Sequence, residues 1–305
     1  MRSKDQIPAI NPEICTGCGT CVAVCPDRVI GVSAGGQAEI TGTSCMACSH
    51  CFCVCPAAAV SVPWPVGTLG LKTIDEDRCE DERKTINPEG LLGLMRSRRS
   101  CRVFEKKPVN LTLLNDLVRI GSTAPSGTNS QGWQFTVLPR REDVIKLGEA
   151  TAGFYRSLNT KAANPFWRVL ARLCRENALT HYYENYYETV KEALTQWDEK
   201  GEDRLFHGAP SAIIVTGNES SSCPKEDALL ATQNILLAAE TCGIGTCLIG
   251  YVVEAARRDN TISTLLKLGK EERIYSVIAC GYPAVRFMRA AGRREVEPRV
   301  LSLSD

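Results

Sequence analysis

Cys15-Thr16-Gly17-Cys18-Gly19-Thr20-Cys21, followed by Cys25-Pro26, returns as Cys45-Met46-Ala47-Cys48-Ser49-His50-Cys51, followed by Cys55-Pro56. Both copies read C-x-x-C-x-x-C-x-x-x-C-P. Three thiolates at this spacing wrap one corner of a cubic iron–sulfur cluster, and the fourth ligand comes from the other copy. Cys15, Cys18, Cys21 and Cys55 are therefore expected to hold one 4Fe–4S cluster, and Cys45, Cys48, Cys51 and Cys25 a second. The proline after each fourth cysteine stops a helix from carrying the chain away. Zinc and a disulfide framework are the rival readings. Zinc takes four ligands in two pairs, which this rhythm does not match.

This comb resembles a bacterial-type two-cluster ferredoxin over about residues 8–64, and we expect a small cluster domain at residues 1–64. A repeat this short buries little core, so bonds to iron must replace hydrophobic burial. Cys53, between two expected ligands, reads as a small buried side chain.

Outward from the comb, the 305 residues suggest about two domains. A net charge of +1 argues against general nucleic-acid affinity. No apolar run approaches the ~18 residues of a membrane span. Met1–Ile10 lacks the apolar core of a secretory signal. Eight of the sixteen cysteines belong to the comb and the rest lack pairing rhythm, so a reducing cytoplasm is expected.

Residues 65–86, with Gly67, Gly70 and a charged run from Asp75 to Lys84, read as a linker laid over the second domain. Gly67–Thr73 lacks P-loop spacing. Asn87-Pro88-Glu89 is a helix start, with Leu91, Leu92, Leu94 and Met95 as its apolar face. It runs into Arg98-Arg99-Ser100-Cys101-Arg102-Val103-Phe104. A helix C-terminus accounts for one or two such cations. Four arginines in seven residues, from Arg96, suit a phosphate, which guanidinium groups grip in forks.

Here the chain resembles the flavin-dependent nitroreductase family, whose opening signature is Arg-Arg-Ser-x-Arg-x-Phe. The resemblance implies that Arg98, Arg99 and Ser100 grip the phosphate and ribityl chain of FMN, with Arg102 at the pyrimidine edge. A second helix, residues 111–122, leads into Ala124-Pro125-Ser126-Gly127-Thr128-Asn129-Ser130-Gln131-Gly132-Trp133. The family carries a similar Ala-Pro-Ser-x-x-Asn-x-Gln-Pro-Trp segment, which implies that Pro125, Ser126, Asn129 and Gln131 line the flavin ring. Gly132 stands where the family commonly has proline.

Residues 150–205 read as helical and aromatic-rich; in the family this region is the variable lid over the flavin. His181 and His207 lack partners at ligand spacing and read as structural. Ser211–Gly217 reads as a buried strand. Residues 226–242 read as a helix apolar on more than one face, which a single domain of this size could cover and a subunit interface covers readily. The family forms intertwined homodimers with FMN between subunits. Gly243-Ile244-Gly245-Thr246-Cys247-Leu248-Ile249-Gly250 lacks the sixth-position glycine of a dinucleotide fingerprint. It is similar to a family passage in which the Ile249–Gly250 equivalent approaches flavin N5. After a strand at 273–279 and Gly281-Tyr282-Pro283, the family places a basic residue on the phosphate, for which Arg293 and Arg294 are the candidates.

The expectation is an α+β fold, a nitroreductase-like mixed sheet flanked by helices over residues 87–305, behind the ferredoxin-like domain. The implied activity is FMN-dependent reduction of a small electrophilic organic substrate by hydride from flavin N5. Electrons enter through two 4Fe–4S clusters from ferredoxin or a similar donor. No side chain need be a catalytic nucleophile, and no nucleic acid or membrane is involved. Two rivals stand beside it: direct use of NAD(P)H at the flavin, and an electron-transfer subunit serving a partner protein.

Overall fold

The computed structural model describes residues 6–82, 85–173 and 178–303. Its first unit is built twice. Strand β1 (Ala9–Ile10), helix α1 (Thr20–Ala23) and strand β2 (Ile30–Val32) are followed by β3 (Ala38–Ile40), α2 (His50–Val54) and β4 (Val60–Ser61). β1 pairs antiparallel with β4, and β2 with β3. Each copy turns left-handed at matching places: Gly17 and Ala47, Gly19 and Ser49, Arg28 and Ala58. Gly17 has no alternative, because a Cβ there would lie 2.5 Å from the Gly36 carbonyl oxygen. The core is a small cluster in which Val29, Ile30 and Val60 pack with cysteines. Cys53 is exposed, against expectation, because it falls on the outer side of α2 while Cys51 points in.

The chain leaves this unit through Trp64, whose indole donates to Ser49 Oγ at 2.8 Å. It then crosses to a buried carboxylate. Helix α3 (Asp77–Glu82) and α4 (Pro88–Ser97) precede α5 (Leu111–Gly121). In α5, Asp116 is fully buried among leucines. Its Oδ2 accepts from the Lys72 amide (2.9 Å), the Thr73 amide (2.6 Å) and the Thr73 hydroxyl (2.6 Å), and its Oδ1 from Arg119 (3.1 Å). Arg119 also donates to the Gly70 carbonyl. The segment laid over the second unit is thus tied down by one charge.

The main sheet follows. Strand β5 (Trp133–Leu138) leads to four helices: α6 (Arg141–Ala163), α7 (Pro165–Leu173), α8 (Ala178–Asn185) and α9 (Tyr187–Lys200). Then come β6 (Ser211–Asn218), α10 (Pro224–Thr241), β7 (Gly245–Leu248), α11 (Gly250–Arg258), α12 (Thr261–Leu265) and β8 (Glu272–Gly281). The order across the sheet is β5-β6-β8-β7, and all neighbours are antiparallel. The parallel contribution is a single bridge from Ser100 to Thr246 of β7. β6 is buried from Ser211 to Gly217 because both faces are covered. Ala212 and Ile214 pack with Val144 and Leu147 of α6. Ile213 and Val215, on the other face, pack with Leu114 of α5 and Ile235 of α10.

Two apolar faces are exposed within the chain: Leu91, Leu92 and Met95 of α4, and Leu229 and Leu230 of α10. α4 meets α10 along one side, and among the described residues none of its side chains is buried. Among the described residues no helix is long and apolar enough to cross a membrane.

Asp116 sets a stability expectation. Burial alone would raise its carboxyl, but the hydrogen bonds from Thr73, Lys72 and Arg119 more than offset this and hold it below the ordinary range. Its stabilisation is present above the ordinary carboxylate range and is lost as pH falls through it. Asp116→Ala should cost about 2 kcal/mol by stranding these donors. A lowered Tm at pH 7, with faster proteolysis between residues 66 and 76, is the expected result; equal Tm and equal proteolysis would refute it.

Candidate active site and cluster centres

The interleaving of the two cysteine copies is visible in the cavities between them. Cys15, Cys18, Cys21 and Cys55 line one, with Ile10, Ala38 and Val60. Cys25, Cys45, Cys48 and Cys51 line the other, with Val29 and Trp64. Burial pushes the Cys51 thiol up to about 11, and it raises Cys21 and Cys45 too. A bare thiolate is costly in such places, and iron supplies the compensating positive charge. Main-chain amides already point at sulfur: Val29 to Cys25 (3.4 Å), Ala59 to Cys55 (3.2 Å) and Ala47 to Cys45 (3.3 Å). Such donors tune a cluster's potential. Among the described residues no trio of His, Cys, Asp or Glu is placed for a single metal ion. The eight sulfurs instead fall into two sets of four, and the donor set fits two 4Fe–4S clusters.

The signature Arg98–Phe104 runs along the β7 edge of the sheet. The Cys101 amide donates to the Thr246 carbonyl at 2.8 Å, and Ala284 and Glu105 exchange main-chain bonds with Val103 and Tyr282. Gly245 permits this approach, because a Cβ there would lie 2.9 Å from the Cys101 side chain. Arg98 and Arg102 both lie close enough to the Cys247 thiol to favour its ionised form, although burial dominates and raises it. Arg102 also adds to the burial that lowers His207. Next to them, the Ile249 amide donates to Val277 of β8. Gly250 opens α11, whose first turn has no side-chain cap. Its exposed amides are donors for a partner outside the helix.

Arg99 faces elsewhere. It lines a cavity of about 800 Å³ with Arg96, Cys101, Glu240, Arg286 and Arg289. Arg293 and Arg294 are exposed beyond it, and the hydrogen bond from Arg293 goes to Gly292. The late arginines that the fold brings to the signature are thus Arg286 and Arg289. Their closeness follows from the Phe104–Pro283 bridge, a pairing that the sequence pattern did not announce.

Pro125–Gln131 lies at the other edge. A 3-10 turn, Gly127–Asn129, places Thr128, Asn129 and Gln131 in the left-handed region. Asp227 of α10, almost fully buried, holds the turn: its two oxygens accept from the Gly127 amide and the Ser130 hydroxyl. The Ser126 hydroxyl accepts from the Gln131 amide. Asn129 reaches out of this loop into the first unit. Its side-chain amide donates to the carbonyls of Met46 (3.2 Å) and Ala47 (2.9 Å), between Cys45 and Cys48.

The expected flavin residues therefore form two groups, not one, within the chain. Trp133, just after the loop, stands opposite Gly217, and Gly217 stands opposite Arg273; Thr246, bridged to Ser100, stands opposite Cys280. The groups are three strand spacings and seven residues of β8 apart, roughly 14 Å across and 24 Å along. One FMN cannot touch both within a single chain.

Beside Gly250, the helical region encloses a cavity of about 820 Å³ lined by Phe154, Tyr155, Trp167, Tyr182, Tyr186 and Tyr251. Tyr155 stacks on Tyr182, and Tyr182 on Tyr186. The Tyr155 hydroxyl donates to the Tyr251 carbonyl and the Tyr182 hydroxyl to Asn159. Burial raises both phenols, so they are neutral hydrogen-bond donors and not bases. His181 lines the same cavity, and its ring takes a hydrogen bond with Asn185.

Residues 95–282 match the model of the nitroreductase family, and residues 7–56 match that of a 4Fe-4S dicluster domain. The chain is 26% identical over 197 residues to an iodotyrosine deiodinase of Thermotoga neapolitana, covering 63% of this chain and 88% of the relative. It is 29% identical over 201 residues to a 4-nitrobenzoate reductase of Pseudomonas putida, covering 61% and 82%. The crystal structure of an FMN-bound nitroreductase from Bacteroides fragilis superposes with a TM-score of 0.51 at 20% identity, over 72% of this chain and all of that one, which shows the shared fold. With its family match spanning more than half its length, the chain belongs to the nitroreductase family, as an FMN-dependent oxidoreductase with an N-terminal 4Fe–4S dicluster domain.

Proposed function

We propose that this oxidoreductase takes electrons one at a time from a ferredoxin-type donor through its two clusters and reduces an aromatic electrophile in the tyrosine-lined cavity. The observation that carries the reading is the hydrogen-bonded contact of Asn129 with the Cys45–Cys48 loop, which joins the cluster unit to a segment expected at the flavin ring. A cluster passes single electrons, whereas FMN when bound supplies a two-electron hydride. The tyrosine stack supports an aromatic substrate, because flat rings pack favourably between rings. The two relatives named above are called after aromatic substrates, which agrees.

Two copies of the chain make the flavin site complete in this reading. Arg98, Ser100 and Arg102 of one copy would hold phosphate, ribityl chain and pyrimidine edge, with the Gly250 amide at the ring. Pro125, Ser126 and Gln131 would come from the other copy. Exposed Leu91, Leu92 and Met95 on α4, Leu229 and Leu230 on α10, and Met288, Val296 and Leu301 near the C-terminus supply the apolar surface for such a homodimer. Every cysteine among the described residues is a free thiol, which suits a reducing cytoplasm.

Anaerobic mixing with pre-reduced ferredoxin should bleach the flavin at least tenfold faster than NADH or NADPH at equal concentration. The Cys48→Ala chain should bind FMN and lose this ferredoxin-driven phase. Fast bleaching by a nicotinamide, with Cys48→Ala unaffected, would replace the proposal by direct nicotinamide use. Arg102→Ala should lower the flavin potential by roughly 30 mV, the equivalent of about 1.4 kcal/mol for a two-electron couple. A redox titration with FMN fully bound and no shift would remove Arg102 from the pyrimidine edge.

A further inference from the structure

The docking of the cluster unit carries a consequence for the electron route. Among the described residues, the unit is hydrogen-bonded to the Pro125–Gln131 loop, through Asn129 to Met46 and Ala47, whereas the Arg98–Arg102 segment is held at the far edge strand by the Ser100 bridge. The link to sulfur is short. The Ala47 amide points at Cys45 Sγ, the Ala47 carbonyl accepts from Asn129, and the Asn129 carbonyl oxygen accepts from Gln131. The loop itself is held by buried Asp227, so the contact is made by a fixed element.

We infer that electrons cross between subunits: the cluster held by Cys25, Cys45, Cys48 and Cys51 of one chain reduces the flavin held by the partner's Arg98, at its phosphate, and the partner's Arg102, at its pyrimidine edge. The inference rests on the two-copy flavin site proposed above. It also orders the clusters. The Cys25–Cys45–Cys48–Cys51 cluster is the inner one. The other, whose Cys18 is exposed, is the outer one that meets the donor. In each transfer a reduced ferredoxin loses one electron, the two clusters pass it on and return to their oxidised state, and the flavin gains it. Two such transfers, with protons from solvent, complete the reduction.

Mixed dimers decide the route. One chain carries Cys48→Ala and the other Arg98→Ala with Arg102→Ala, each with its own affinity tag, and both are co-expressed and purified through the two tags. The arginine-deficient homodimer should bind no FMN, and the Cys48→Ala homodimer should bind two FMN that ferredoxin does not bleach. The mixed dimer should bind one FMN, held by the first chain's arginines, and ferredoxin should bleach it at the wild-type rate through the second chain's clusters. One bound FMN that ferredoxin leaves oxidised, in a dimer whose wild-type parent is bleached, overturns the inter-subunit route and leaves the donor assignment standing. A wild-type flavin that ferredoxin does not bleach overturns both, and a monomeric wild-type protein overturns the route together with the two-copy flavin site it rests on.

Asn129→Ala provides a measurement that does not depend on losing a cluster. Amide exchange across residues 45–48 should rise at least fivefold while residues 15–18 are unchanged. Ferredoxin-driven bleaching should slow about tenfold at unchanged cluster potentials. Unchanged exchange together with unchanged bleaching would overturn the docking role of Asn129, and with it the route.

Discussion

The antiparallel pairing of β6 with β8 is the constraint on which the rest depends. These two central strands run side by side from Ser211 to Asn218, and each buries both faces. With the centre filled, β5 and β7 must be the edges, and every segment expected at the flavin hangs from one edge or the other. The signature arginines join β7 through Ser100 and Cys101. The Pro125–Gln131 loop enters β5 and is braced from behind by Asp227 of α10. The distance between the two groups is a property of the sheet, so no side-chain rearrangement can close it. A second copy can, because a two-fold operation brings one edge of a subunit against a different edge of its partner.

The cluster unit obeys another economy. Its apolar core is small, and several of its most buried side chains are cysteines whose thiols resist ionisation there. Without iron those positions are buried groups that lack the charge they are shaped for. Cluster binding would then contribute directly to the folding of this unit. The larger unit has its own two cores on either face of the sheet and does not draw on the clusters for stability. Trp64 on Ser49 and Lys72–Thr73 on Asp116 tie down the first part of the connecting segment.

Legibility in the sequence followed how local the causes are. The cysteine spacing repeats within thirty residues, and the helix cap at Asn87 is read from four neighbours, so both were plain. The continuous buried run of β6 was plain for the same reason. Asp116 and Asp227 were not. Each sits in an amphipathic helix as one polar residue among many, and its partners lie 43 and 100 residues away. The sequence pattern of Gly243–Gly250 excluded a dinucleotide fingerprint but assigned no strand there, because the strand character of β7 comes from pairing with β8 and from Cys101 lying across it, not from its own residues. That Arg286 and Arg289 lie near the signature within the chain was not legible, since only the Phe104–Pro283 bridge shows how soon the chain returns to it.

Asn129 shows how one residue can satisfy two readings. Its place in the loop motif points to the flavin, yet its amide hydrogens are bonded to Met46 and Ala47. The geometry reconciles the two. Ala47 adopts a left-handed conformation, as Gly17 does in the first repeat, and this turns the 46–47 carbonyls outward from the cluster cavity while the Ala47 amide stays on Cys45. The same peptide segment thus faces sulfur on one side and Asn129 on the other. In the first repeat the matching turn is covered by Gln37, which donates to the Cys15 carbonyl within its own unit. The repeat is symmetric in its backbone and asymmetric in what its carbonyls meet. That asymmetry, more than any difference in the cysteines, is the ground for the proposed order of inner and outer cluster.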